Sequence, residues 1–300
     1  MPRDIHLSLV LDPGADGPGQ IVEAARIAER GLFDAVIASP TPRTGLEPTT
    51  LLGTIAASTS HIGVVASVSP QYTAPFNQAR YISTLDHLSK GRAGWNLVLP
   101  EQDTAPELHG VSVVPSDIAR YSRAAEYTTV LTALWDSWDD DAVVADKTSG
   151  LYARRESIHR VDHRGDHFAV AGPFNLPKSP QRHPPLYVSV GSEESAQFAA
   201  QHADVAVLTP DAPPVSGVPS TLRERVVSGG EVESLAAGLI EQADRDGIDG
   251  FVLHASIDVI RAIVDTVVPH LQSFDRYHRK YSEPTLISRL KATTGVGATL

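Results

Sequence analysis

Small polar side chains collect at the places in this sequence where an apolar run stops. "HIGVVASVSP" ends in Ser67 and Ser69, "RAGWNLVLP" carries Asn96, and "LYVSVGSEES" runs into Gly191 and Ser192. "FDAVIAS" closes on Ser39, "DVAVLT" on Thr209 and "GFVLHA" on His254. The set is mostly uncharged and holds no carboxylate cluster and no nucleophile–base pair. Side chains of this kind suit hydrogen bonding to a polar ring or a phosphate better than hydrolysis. The amide of Asn96 can both donate and accept, and a Gly-Ser turn that opens a helix can aim backbone N–H groups at an anion. His159, His163 and His167 in "HRVDHRGDH" have a spacing that would align metal ligands on a helix. Gly165 interrupts that pattern, and Val161 and Phe168 favour extended structure, so no metal site is expected.

These residues need a frame that brings strand ends together. "IHLSLVL", "FDAVIAS", "HIGVVASV" and "RAGWNLVL" read as strands, and helices are expected at Gly19–Gly31, Glu47–Ser58 and from Pro75 to His87 or Leu88. Gly91 is the expected stop for the third helix. Strands apolar on both faces and separated by helices call for a parallel sheet covered by helices. A long helix is predicted over 116–136. From Asp146 to Pro185 the chain turns rich in Gly, Pro, His and Arg, with short strands expected around Ser157–Val161 and His167–Val170. Alternation resumes with strands "LYVSVG", "DVAVLT" and "GFVLHA" and helices Glu194–His202, Glu231–Asp246 and Ile257–Ser273. That makes seven strands. An eighth, needed to close a barrel, could come only from "LRERVV" (Leu222–Val227) and is expected to be short, degenerate or missing. An open doubly wound sheet needs no closure, but "DPGADGPG" after Leu11 lacks the dinucleotide-loop spacing. A (β/α)8 TIM barrel is therefore favoured, and in such a barrel functional side chains sit at the C-terminal strand ends.

Composition narrows the partners. Acidic residues outnumber basic ones by 36 to 25, a net charge of −11, and no basic block offsets them, which argues against nucleic acid. There is no cysteine, so disulfide and thiolate chemistry are excluded. The N-terminal apolar run is too short and too charged for a signal peptide, and no stretch reaches membrane-spanning length. A cytoplasmic location is expected. Trp95, Trp135 and Trp138 are expected to pack rather than to stack on a ligand.

The stretches "YTAPFNQAR", "YISTLDHLSKGRAGWNLV", "RYSRAAEYTTVLTALWDSWDDDAVVAD" and "HRVDHRGDHFAVAGPFNLPKSPQRHPPLYVSVGS" resemble the bacterial luciferase-like flavin monooxygenases. The similarity is to the branch of nitrilotriacetate and dibenzothiophene-sulfone monooxygenases, and it returns in "DGFVL", "VVPHLQ" and "YSEPTL". It implies one luciferase-like barrel over residues 1–300, with an insertion at about 100–185 and a C-terminal tail from about 274. It also implies a two-component monooxygenase that takes reduced FMN from a separate flavin reductase and oxygenates a small organic substrate, and it implies a homodimer. Flavin contacts would fall at Ser67, Ser69, Asn96, Tyr121, Gly191 and Ser192, with no catalytic acid or base mapped. The chain departs from the family pattern at Ser39, where an Asp is usual, and at Leu99 and Pro100, where a Thr-Ser pair is usual. At the phosphate turn it has Glu193 and Glu194, and the branch's extra length is lost between Thr209 and Gly230. These departures point to an alternative, a flavin-free paralogue serving as a partner subunit or binding module. The basic "RYHRKYSEPTLISRLKATTG" is expected to be exposed or to pack on a partner.

Overall fold

Alternating apolar strands and amphipathic helices close into a ring in the computed structural model, which describes residues 4–12, 17–38, 46–99 and 117–294. Ser39 and Pro100 lie outside the described residues. The first half runs β1 (His6–Leu11), α1 (Pro18–Arg30), β2 (Ala35–Ala38), α2 (Pro48–Ser58), β3 (Gly63–Val68), α3 (Pro75–Ser89), β4 (Ala93–Leu97) and α4 (Asp117–Trp135). Two small hairpins follow, β5 (Val143–Asp146) with β6 (Leu151–Ala153) and β7 (His163–Arg164) with β8 (Ala169–Val170). The second half runs β9 (Leu186–Val190), α5 (Glu193–His202), β10 (Val205–Leu208), β11 (Ser220–Val226), α6 (Val232–Asp246) and β12 (Gly250–His254). It ends with α7 (Ile257–Ala262), α8 (Val268–Ser273) and α9 (Leu286–Thr294).

The barrel is closed and parallel, in the order β1-β12-β11-β10-β9-β4-β3-β2. The strand expected to be short or missing is present: β11 spans seven residues and pairs with both β10 and β12. Its charged alternation hid it. Leu222 faces the barrel lumen, whereas Arg223 points outward, where it is buried and donates to the carbonyls of Thr209, Pro210 and Ala212. An arginine thus replaces apolar packing beside the loop that holds Thr209, Pro210 and Ala212. Gly250 in β12 is required by closeness, since a Cβ there would fall onto the backbone of His6.

Side-chain alternation along each strand sorts the core into two clusters. Val65, Tyr187, Val205, Val207, Leu222 and Val252 fill the lumen, while Leu7, Leu9, Val64, Val188 and Phe251 face the helices. The Trp residues pack as expected. Trp95 lies edge-on to Trp135 with ring centroids 6.1 Å apart, and their indole N–H groups donate to the carbonyls of Pro184 and Ala79. Trp138 donates to the carbonyl of Phe174.

Three local expectations need correction. Ser157–Val161 is not a strand: Arg155–Ser157 forms a 3-10 turn, and Ile158 makes a single bridge to Trp138. The helix 257–273 is interrupted by a π turn at Ile263–Val267, just before Pro269. Pro269 lacks the N–H that an α-helix would use there, which explains the wider register. Over its described part, residues 274–294, the C-terminal segment is not a solvated tail. Tyr277 donates to the carbonyls of Gly31 and Leu32, Tyr281 to that of Phe33, and Arg289 to those of His61 and Asp34. Leu286 and Leu290 join the lumen cluster and stop the N-terminal end of the barrel. At that end a buried His6–Asp34 pair meets at 3.0 Å, and the Asp34 carboxylate also accepts from the backbone of Leu7. Burial pushes the His6 pKa down, but the facing Asp34 carboxylate outweighs it and holds the imidazole above its ordinary value.

Candidate functional site at the C-terminal mouth of the barrel

With the N-terminal end stopped by Leu286 and Leu290, the lumen formed by the described residues faces the C-terminal strand ends, the end where barrel sites are built. Residues on the lumen-facing parity there are Ser67 of β3, Asn96 of β4, Ser189 of β9, Glu224 of β11 and His254 of β12. Ser189 lies in mid-strand yet is exposed, which requires an open mouth above it. Below this ring Val65, Val207, Leu222 and Val252 form an apolar floor.

Ser67 and Asn96 are opposite each other in the register of β3 and β4. The Asn96 amide nitrogen donates to Ser67 Oγ at 3.2 Å. Its carbonyl oxygen, Oδ1, is buried and has no hydrogen-bond partner among the described residues. The same is true of the amide nitrogen of Gln71 in the loop after β3. A buried acceptor and a buried donor left open cost roughly 1–3 kcal/mol each unless something else pairs with them. This wall is built to meet a polar group. Ser69 is drawn into the same loop, its Oγ accepting from the backbone of Gln71 at 3.3 Å.

On the opposite wall the structure brings in two residues that no motif flagged as a pair. Glu224 Oε1 lies 4.0 Å from His254 Nε2, and both side chains are only partly exposed. Burial raises the Glu224 pKa above the ordinary carboxylate value, and His254 offsets this only in part. Three strands separate β11 from β3, and β12 from β4, on either side of the eight-strand ring, so the two pairs face each other across the mouth. The sequence signal for Glu224 is the alternation Leu222–Glu224–Val226, legible only once "LRERVV" is accepted as a strand. His254 was recognised as a strand end, but nothing in the sequence linked it to Glu224.

The Gly191–Ser192 turn is built differently from a vacant anion cradle. Ser192 caps α5, its Oγ accepting from the backbone N–H of Ser195. Ser195 Oγ in turn accepts from the N–H groups of Gly191 and Ser192, at 3.1 and 2.9 Å. The Glu194 carboxylate folds back onto its own N–H and the Ser192 hydroxyl, which lowers its pKa. Glu193 holds the amide of Gln197. Tyr121, half-buried on α4, packs against Phe198 of α5 with centroids 5.8 Å apart. It stands beside the helix that Ser192 opens rather than in the lumen. Leu99 packs against the helix-side core, partly buried.

The buried acceptor of Asn96 and donor of Gln71 have the chemistry to meet the polar edge of a flavin ring. The turn suits a phosphate end poorly, because the N–H groups of Gly191, Ser192 and Ser195 are already taken and two carboxylates adjoin them.

The three histidines of the insertion do not converge. His159 meets Asp139, His163 meets Glu126 and His167 meets Ser122, each at 2.9 Å. No group of metal-ligating residues occurs among the described residues. No helix among them is long and apolar enough to cross a membrane.

Comparison with known proteins gives one family. The profile described as luciferase-like monooxygenase matches residues 5–226. N-acetyl-S-(2-succino)cysteine monooxygenase of Bacillus subtilis is 37% identical over 61% of this chain and 44% of its own length. Nitrilotriacetate monooxygenase component A of Aminobacter aminovorans is 40% identical over 57% of this chain and 38% of its own. The chain thus spans less than half the length of either relative. Among solved structures, long-chain alkane monooxygenase superposes with a TM-score of 0.87 at 22% identity, covering 97% of this chain and 96% of that one.

Proposed function

Since the chain belongs to the luciferase-like monooxygenase family, we propose that it is a flavin-dependent monooxygenase acting on a small organic substrate at the mouth of its barrel. The Oδ1 of Asn96 is the single observation that carries this reading, because it is a buried acceptor with no hydrogen-bond partner among the described residues. Ser67 fixes the Asn96 amide, so that Oδ1 is presented in one orientation. A reduced flavin bound there would supply the electrons that let one oxygen atom of O2 enter the substrate while the other leaves as water.

This chain's own residues do the rest. The apolar floor of Val65, Val207, Leu222 and Val252 excludes water from the lumen side. Glu224 and His254 on the far wall can take a proton from a substrate or return one, and a carboxyl raised toward neutrality is suited to that exchange. The reduced flavin would come from a separate flavin reductase, as in two-component systems. A homodimer and a cytoplasmic setting belong to the same proposal.

The flavin-free reading draws support from the self-capped Gly191–Ser192 turn. It leaves the open polar atoms of Asn96 and Gln71 without a purpose, which is why the enzyme reading is preferred. The test is turnover. With a flavin reductase, a nicotinamide donor and a panel of small organic sulfides, amines and alkanes, a product one oxygen atom heavier than its substrate is expected by mass spectrometry. Oxygen consumption that yields only hydrogen peroxide across the panel, with no oxygenated product, would contradict the reading.

A further inference from the structure

The turn between β9 and α5 is where a flavin's terminal phosphate would be received, and three observations there run against a dianion. First, most of the turn's backbone donors are spent: Ser195 Oγ takes the N–H groups of Gly191 and Ser192, Ser192 Oγ takes that of Ser195, and the Glu194 carboxylate takes its own. Second, the positive end of the α5 dipole already has acids beside it, since Glu193 and Glu194 occupy its first turn. Third, the cleft beside the turn, about 500 Å³, is lined by Gly191, Ser192, Glu193 and Gln197 against Pro213 and Val215, and its described lining includes no Lys or Arg. The cations of α4 do not make up for this. Arg123 donates to the carbonyl of Pro70 and lies 4.2 Å over the Phe168 ring, and Arg120 is buried and already engaged.

What repels a phosphate suits a polyol. Hydroxyl groups donate hydrogen bonds, and the Glu193 carboxylate and the Gln197 amide oxygen are acceptors. A fully ionised phosphate brings only acceptors and negative charge. We propose that this site takes a flavin whose side chain ends in a hydroxyl rather than a phosphate, with the ring on Ser67 and Asn96 and the sugar-alcohol tail in the acid-lipped cleft. The proposal rests on the flavin reading of the barrel mouth and concerns only the tail.

Equilibrium binding tests it. Riboflavin and FMN, each oxidised and photoreduced, are titrated anaerobically into the full chain. Riboflavin binds at least about tenfold more tightly than FMN, a difference set by one unfavourable charge contact. Raising NaCl from about 20 to about 300 mM strengthens the FMN complex by screening and leaves the riboflavin complex within twofold. In the double variant Glu193→Ser/Glu194→Ser the FMN affinity rises about tenfold as the repelling charge goes, while that for riboflavin falls severalfold because the Glu193 acceptor for its hydroxyl groups is lost. FMN binding as tightly as riboflavin, or more tightly, overturns this inference and leaves the flavin reading standing. Saturable binding of neither flavin overturns both.

Discussion

Glu224 and His254 face Ser67 and Asn96 across the barrel mouth, and the two walls differ in what they can do. Asn96 offers a fixed hydrogen bond, whereas Glu224 offers a proton at a pH that an ordinary carboxyl does not reach. A carboxyl whose folded pKa is raised costs stability as pH climbs from its unfolded value of about 4.5 through the folded value, because ionisation is easier in the unfolded chain. Glu224→Gln is therefore expected to match the parent's denaturation midpoint in acid and to exceed it at neutral pH. Turnover of the variant should fall on the order of 100-fold. A variant that loses stability at neutral pH would show that burial does not dominate at Glu224. At this scale the sequence was only partly legible. It singled out Ser67 and Asn96, which do meet, because each ends an apolar strand. Glu224 was hidden because its strand reads as a surface segment, and no residue type announces that a carboxylate points inward.

Helices and strands were far easier to read than their ends and exceptions. The seven regular strands and most helices announced themselves by period. Those that failed did so because hydrogen bonds replace apolar patterning. Arg223 lets β11 be buried while charged, and Tyr277, Tyr281 and Arg289 fasten a basic segment to carbonyls that no sequence pattern marks. α9 is the element with the greatest leverage. Leu286, fully buried, approaches Gly63 and Gly94 so closely that a Cβ on either would have to push it aside. Leu286→Ala should lower the unfolding free energy by about 2–5 kcal/mol, as for other buried leucines, measured by denaturant titration. A loss within experimental error would mean that the C-terminal segment is an ornament, and the solvated-tail expectation would return.

The whole molecule divides its two barrel ends between stability and chemistry. One end is stopped by Leu286 and Leu290 and holds the buried His6–Asp34 pair; the other is polar and carries Asn96 and Gln71 atoms that have no hydrogen-bond partner among the described residues. Fold and family were legible from the sequence because both rest on long stretches of packing residues. Whether the mouth still holds a coenzyme was not legible, since it turns on Ser195, Glu193 and the open oxygen of Asn96, whose hydrogen bonds exist only after folding. The most direct measurement is an anaerobic titration with photoreduced riboflavin, comparing the parent with Asn96→Leu. The account predicts saturable binding to the parent and a loss of about tenfold or more in the variant, the size of one hydrogen bond to a buried polar group. Equal affinity in the two proteins would contradict it, because the flavin would then sit somewhere other than the wall built by Ser67 and Asn96.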